Sequence, residues 1–151
     1  MAEIICALYE KEVPTKARTT YNVGRIEGGT TVNSIAEKAA MRYEFRSEDR
    51  DCLAEMEAFF TATLDSFRAK GYQIEVETLG IRPCSGDVDA DALAALTGRA
   101  VSILSQYTSD TVHIHASSTD ANIPLSLGIP AVTYGPVLGD GAHTYGEWFE
   151  L

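Results

Sequence analysis

The residues whose types and spacing could do chemistry gather toward the end of this chain. Ser117-Ser118-Thr119-Asp120-Ala121-Asn122 is followed by Gly128-Ile129-Pro130-Ala131-Val132, then by Gly141-Ala142-His143-Thr144 with Glu147-Trp148. His143 stands in a glycine-rich loop, where either ring nitrogen could approach a metal. A zinc ion that does chemistry takes three protein ligands or more, so one histidine cannot hold it. The chain is therefore either part of something larger or not a metalloenzyme. His113 and His115 alternate with Val112 and Ile114 and so share one strand face, as a His-x-His metal pair would. Glu55-Met56-Glu57 lies inside an amphipathic helical pattern and reads as a solvated face rather than a catalytic carboxylate pair. Ser117 and Asp120 have a capping-box-like spacing that would start a helix.

Strands and helices that would position these groups follow from periodicity. Ile4, Ile5, Leu8 and Tyr9 have helical spacing with no capping residue before them, which predicts the last turns of a helix ended before Pro14. Residues 19 to 27 are strand-like and stop at Gly28-Gly29. Residues 39 to 46 alternate, with Met41, Tyr43 and Phe45 on one face and Arg42, Glu44 and Arg46 on the other. Over residues 49 to 70, Leu53, Met56, Phe60, Leu64 and Phe67 recur three or four apart, acids open the pattern, Arg68 and Lys70 close it, and Gly71 stops it. Tyr72 to Leu79 predicts another strand, and Pro83 to Gly86 a hinge. Beyond it come a helix carrying Leu93, Leu96, Ala100, Ile103 and Leu104, a strand at 112 to 115, a short helix at 119 to 127, a strand at 129 to 134, and a helix beginning at Glu147. That order is typical of an α/β layer.

Composition narrows the partners. A net charge of -10 repels phosphate backbones and offers no polybasic patch, so neither nucleic acid nor a membrane surface is expected. No apolar run approaches the roughly eighteen residues of a membrane span, and the N-terminus has no signal-peptide pattern, so a cytoplasmic protein is the expectation. Cys6, Cys52 and Cys84 are odd in number and form no Cys-x-x-Cys pair, which predicts reduced, buried thiols.

Taken in order, the segments from 117 to 148 resemble the C-terminal end of the catalytic domain of the co-catalytic dizinc peptidases. That superfamily includes tripeptide aminopeptidase, glutamate carboxypeptidase, aminoacylase and succinyl-diaminopimelate desuccinylase. Asn22-Val23-Gly24-x-Ile26-x-Gly28-Gly29-Thr30, then Val32-Asn33, then the strand ending Phe45-Arg46-Ser47, is similar to the same family's inserted lid, or dimerisation, domain. The resemblance implies an α+β protein. Residues 1 to 84 would form a ferredoxin-like antiparallel lid without its first strand, and residues 85 to 151 a partial α/β segment of the catalytic domain. Both ends of the chain then read as cut.

Carried over position by position, the resemblance makes His143 the family's last zinc ligand and leaves the strand of His113 and His115 structural. It makes Asn33 and Arg46 the lid pair that holds the carboxylate or carbonyl of the substrate, which suits an amide donor beside a planar guanidinium. Ser117, Ser118, Thr119 and Asp120 become the loop along the substrate, although serines stand where relatives often have glycine. Glu147 would orient the His143 loop or begin a helix with a favourable charge. Two zinc ions in the complete enzyme would support metal-assisted hydrolysis of small peptides or N-acyl amino acids. The upstream His-x-Asp, the bridging aspartate, the Glu-Glu pair and a further acidic ligand are absent from this sequence. The chain would thus be inactive alone and dimerise through the lid. The alternative is a noncatalytic dimerisation or peptide-binding module.

Overall fold

An αββα order opens the chain in the computed structural model, which describes residues 1 to 135, 139 to 141 and 144 to 150. Two compact units are formed, Met1–Ser85 and Gly86–Leu151. In the first, helix α1 (Ala2–Tyr9) precedes strands β1 (Thr19–Gly28) and β2 (Ala39–Ser47), and helix α2 (Arg50–Ala69) follows. It is a small α+β unit with the two-stranded antiparallel sheet and backing helices of a ferredoxin-like lid.

Its core follows from the periodicities. Ile4 and Leu8, one turn apart on α1, meet Leu64 and Phe67 of α2, and Met41, Tyr43, Phe59, Phe60 and Ile74 pack around them. Leu8 and Met56 are completely buried. Tyr43 stacks on Phe60 at 5.3 Å between ring centroids and lies tilted against Tyr21 and Phe45. Asp49 caps α2, its Oδ1 accepting from the backbone N–H groups of Asp51 and Cys52 at 3.0 Å each, and Lys16 pairs with both Asp49 and Asp51. Cys52 and Cys84 are buried, and the Cys84 thiol donates to the Ser47 carbonyl at 2.9 Å; Cys6, against expectation, is exposed, because it faces away from the Ile4–Leu8 stripe.

The hairpin is covered over only part of its length. A bulge between Val23 and Arg25 shifts the register, and every residue from 24 to 40 is exposed. The far half of the hairpin therefore projects past the helices that cover the rest. Gly29, at φ +77°, turns the chain out of β1 in a conformation that a side chain would strain.

Residues 73 to 85 form no strand, although 72 to 79 alternate. Alternation selects an apolar face, but a strand exists only through a ladder, and no strand among the described residues pairs with this segment. Ile74 still packs on the core, and its carbonyl accepts from the Arg68 guanidinium at 3.0 Å.

In the second unit, helix α3 (Ala90–Leu104) is capped by Asp89, whose Oδ1 accepts from the Ala92 N–H at 2.7 Å. Helix α4 (Asn122–Ser126) is shorter than the 119 to 127 expected, and its first turn is not closed by the Ser117/Asp120 pair. Instead Asn122 Oδ1 accepts from the Thr119 N–H at 2.8 Å, and Thr119 Oγ1 accepts from the Ala121 N–H at 3.3 Å. Gly86 passes so close to the end of α4 that a Cβ there would lie 2.4 Å from the Ser126 carbonyl oxygen. The strands expected at 112 to 115 and 129 to 134 do not form, for the same want of a pairing backbone among the described residues. In place of a helix from Glu147, strand β4 (Trp148–Phe149) pairs with β3 (Gly139–Asp140). No helix among the described residues is long and apolar enough to cross a membrane.

Candidate functional site

Arg46 lies near the open end of the hairpin, opposite Thr20 of β1, with its side chain exposed. The strand alternation that half-buries Tyr43 and Phe45 turns Arg46 outward with Glu44 and Arg42. Glu44 Oε2 accepts from both Arg46 Nη2 at 2.7 Å and Nε at 3.2 Å. The guanidinium is thus held along β2 by one carboxylate oxygen, in a solvent-exposed pair that contributes little to stability and yields readily to a better-shaped carboxylate.

Asn33 sits at the other end of the same hairpin, in the turn between the strands, and is exposed. Its Oδ1 accepts from the Thr31 hydroxyl at 2.8 Å. Flanking it, Val32 and Ile35 are fully exposed apolar side chains. From Ala39 to Arg46 the strand alone spans roughly 24 Å at about 3.4 Å per residue. Asn33 and Arg46 of one chain thus stand at opposite ends of the hairpin.

In the second unit, Thr119 is the organised member of the 117 to 120 segment. Besides its bonds around the start of α4, its Oγ1 accepts from the Thr133 hydroxyl at 3.1 Å, which ties the loop to the 129 to 134 segment. Ser117, Ser118 and Asp120 are exposed around it. His143 lies outside the described residues. His113 and His115 are exposed. Among the described residues no group of three or more His, Cys, Asp or Glu side chains converges as metal ligands, so the described part of the chain does not by itself fit a zinc ion.

Three partners escaped the reading of the sequence: Glu44 on Arg46, Thr31 on Asn33, and Thr133 on Thr119. The first two lie two residues from their target and carry a signal, since i and i+2 share a strand face and hydroxyls often bond within turns. Thr133 is fourteen residues from Thr119, and no local pattern reports that contact.

Residues 1–71 match the model of a family described as peptidase dimerisation domain. No curated protein matches the chain.

Proposed function

We propose, from the match of residues 1–71 to the peptidase dimerisation domain family, that this chain is the lid and C-terminal catalytic portion of a zinc-dependent peptidase or amidohydrolase. Its substrates in this reading are small peptides or N-acyl amino acids. The observation that carries the proposal is the coincidence of that family match with an αββα unit presenting an exposed arginine near the end of β2, on the same chain as the ordered motifs at 117 to 148.

In this reading the lid forms a homodimer. The projecting part of the hairpin supports that, because it carries exposed Ile26, Val32 and Ile35 that the single chain leaves uncovered. Arg46 would bind the carboxylate end of a substrate, exchanging Glu44 for it. Because the hairpin keeps Asn33 far from Arg46, a site that uses both takes them from two chains. Ser117, Ser118, Thr119 and Asp120 would line the substrate, with Thr119 fixing the loop. His143 would be the one zinc ligand supplied here, and residues 85 to 151 the end of the catalytic domain.

Zinc titration calorimetry on the chain and on His143→Ala tests the assignment. The reading expects weak uptake or none by the chain alone, because the remaining ligand motifs are absent from its sequence. Two tight sites abolished in His143→Ala would overturn it and make the chain a metalloenzyme in its own right.

A further inference from the structure

At the tip of the projecting hairpin, four polar side chains form one connected hydrogen-bond chain. Thr31 Oγ1 donates to Asn33 Oδ1 at 2.8 Å, Thr31 Oγ1 and Ser34 Oγ are 2.9 Å apart, and Ser34 Oγ and Thr30 Oγ1 are 3.1 Å apart. A hydroxyl has one proton to donate and can accept as well. Once Thr31 gives its proton to Asn33, the Thr31–Ser34 contact must be donated by Ser34, and the Ser34–Thr30 contact is then donated by Thr30. A single direction, Thr30 to Ser34 to Thr31 to Asn33, satisfies these three contacts with each proton used in order, and the Thr31 carbonyl, 3.4 Å from Ser34 Oγ, is a longer alternative acceptor for the Ser34 proton.

We propose that Thr31, backed by Ser34 and Thr30, is a positioning residue for Asn33: it occupies the amide oxygen and so presents the amide nitrogen outward as a donor. The proposal rests on the reading of Asn33 as a substrate-binding residue. Without the Thr31 bond, the Asn33 amide of an exposed turn would rotate, and half of its outward orientations would offer an acceptor that repels a carboxylate. With the bond in place the Nδ2 hydrogens are the groups left facing solvent, and the donation into Oδ1 polarises the amide toward stronger donation. The ligand chemistry that fits is a carboxylate or a peptide carbonyl, with Val32 and Ile35 as apolar shoulders on either side. Pre-orientation removes a rotamer cost at the moment of binding, the general route by which a second hydrogen bond behind the first improves affinity.

The sequence makes the test clean, because its asparagines are Asn22, Asn33 and Asn122 alone. Selective 15N-asparagine labelling of the full chain then gives three side-chain NH2 pairs, with the Asn33 pair assigned by its loss in Asn33→Asp. Asn22 and Asn122 serve as internal controls, since their oxygens accept from the Tyr9 hydroxyl and the Thr119 N–H. Thr31→Val keeps the shape and removes the proton donor, and Thr31→Ser restores it. The expected result is that Thr31→Val moves the Asn33 pair alone toward free-amide shifts, while Thr31→Ser leaves it near wild type. With N-acetylglycine as the probe, the midpoint for perturbing the Asn33 pair should rise about fivefold in Thr31→Val, the size of one modest hydrogen bond. An Asn33 pair unmoved by Thr31→Val overturns the positioning role whatever the probe does. A Thr31-dependent shift combined with no response of Asn33 to the probe in wild type upholds the positioning and overturns the reading of Asn33 as a substrate residue.

Discussion

The two units of this chain are built from similar amounts of apolar sequence, yet every buried side chain among the described residues lies in Met1–Ser85 and none in Gly86–Leu151. Charge divides the same way: Arg99 is the single basic residue of the second unit, which carries eight acids, whereas the first has eleven basic residues against fourteen acids. The first unit closes a core between α1, α2 and β2 and laces its surface with ion pairs. In the second, α3 turns Leu93, Thr97 and Val101 toward an open groove of about 570 Å³ shared with Ile114, and nothing among the described residues of that unit fills it. The comparison teaches that an amphipathic helix supplies only half of a core. One unit contains the complementary half in its own sequence, and the described residues of the other do not supply it.

Core truncation should break the comparison most sharply. Leu8→Ala removes a completely buried side chain and should destabilise the first unit by about 3 kcal/mol, while Leu93→Ala, on the open face of α3, should cost well under about 1 kcal/mol. Urea melts that follow each unit separately check this, and equal losses would remove the distinction.

Acid and alkali should act on the first unit through two identifiable groups. The Lys16 ammonium and the Cys52 N–H hold the Asp49 carboxyl down at about 2. A carboxyl lowered in the folded state contributes stability above its unfolded value near 3.8, and that contribution fades as pH falls from about 4 to 2. Asp49→Asn, which keeps a capping oxygen, should flatten stability across that window. Tyr43 is displaced the other way: burial, then the neighbouring Tyr21 and Tyr9, push its phenol up to about 12. Its contribution is whole below about 10 and is lost as pH rises from there toward 12. The Tyr43 hydroxyl is buried with no hydrogen-bond partner among the described residues, so Tyr43→Phe should stay within about 1 kcal/mol of wild type at neutral pH and shrink the alkaline loss. A large neutral-pH penalty would reveal a partner for that hydroxyl.

These residues also show what the sequence made legible. The hairpin strands and α2 were readable because their apolar faces repeat every two or every three to four residues and meet complementary faces within the first 85 residues. The strands expected at 72 to 79, 112 to 115 and 129 to 134 were not, because alternation names a face and says nothing about whether a neighbouring backbone completes the ladder. For the site, the outward turn of Arg46 followed from alternation alone, whereas its place at the opposite end of the hairpin from Asn33 follows from hairpin register. That the turn before α4 is closed by Thr119 and Asn122 rather than by Ser117 and Asp120 reflects two overlapping i, i+3 pairs, between which local spacing does not choose.

The smallest expected effect sharpens the comparison from the other side. A Cβ at Gly98, in the middle of α3, would meet nothing within 4 Å. Gly98→Ala should therefore stabilise α3 by about 0.5–1 kcal/mol through helix propensity alone, read as added helical signal that persists in Leu8→Ala. A loss of helix would mean that the groove beside Gly98 is filled in solution.

Amide hydrogen exchange on the full chain, with and without Leu8→Ala, tests the central claim most directly. The account predicts that the α2 amides exchange only through unfolding of the first unit and lose protection in Leu8→Ala. The α3 amides should be protected at least about 100-fold less than those of α2 and be indifferent to that substitution. Protection of α3 equal to that of α2, falling in step with it in Leu8→Ala, would contradict the account and show that the second unit shares the first unit's core.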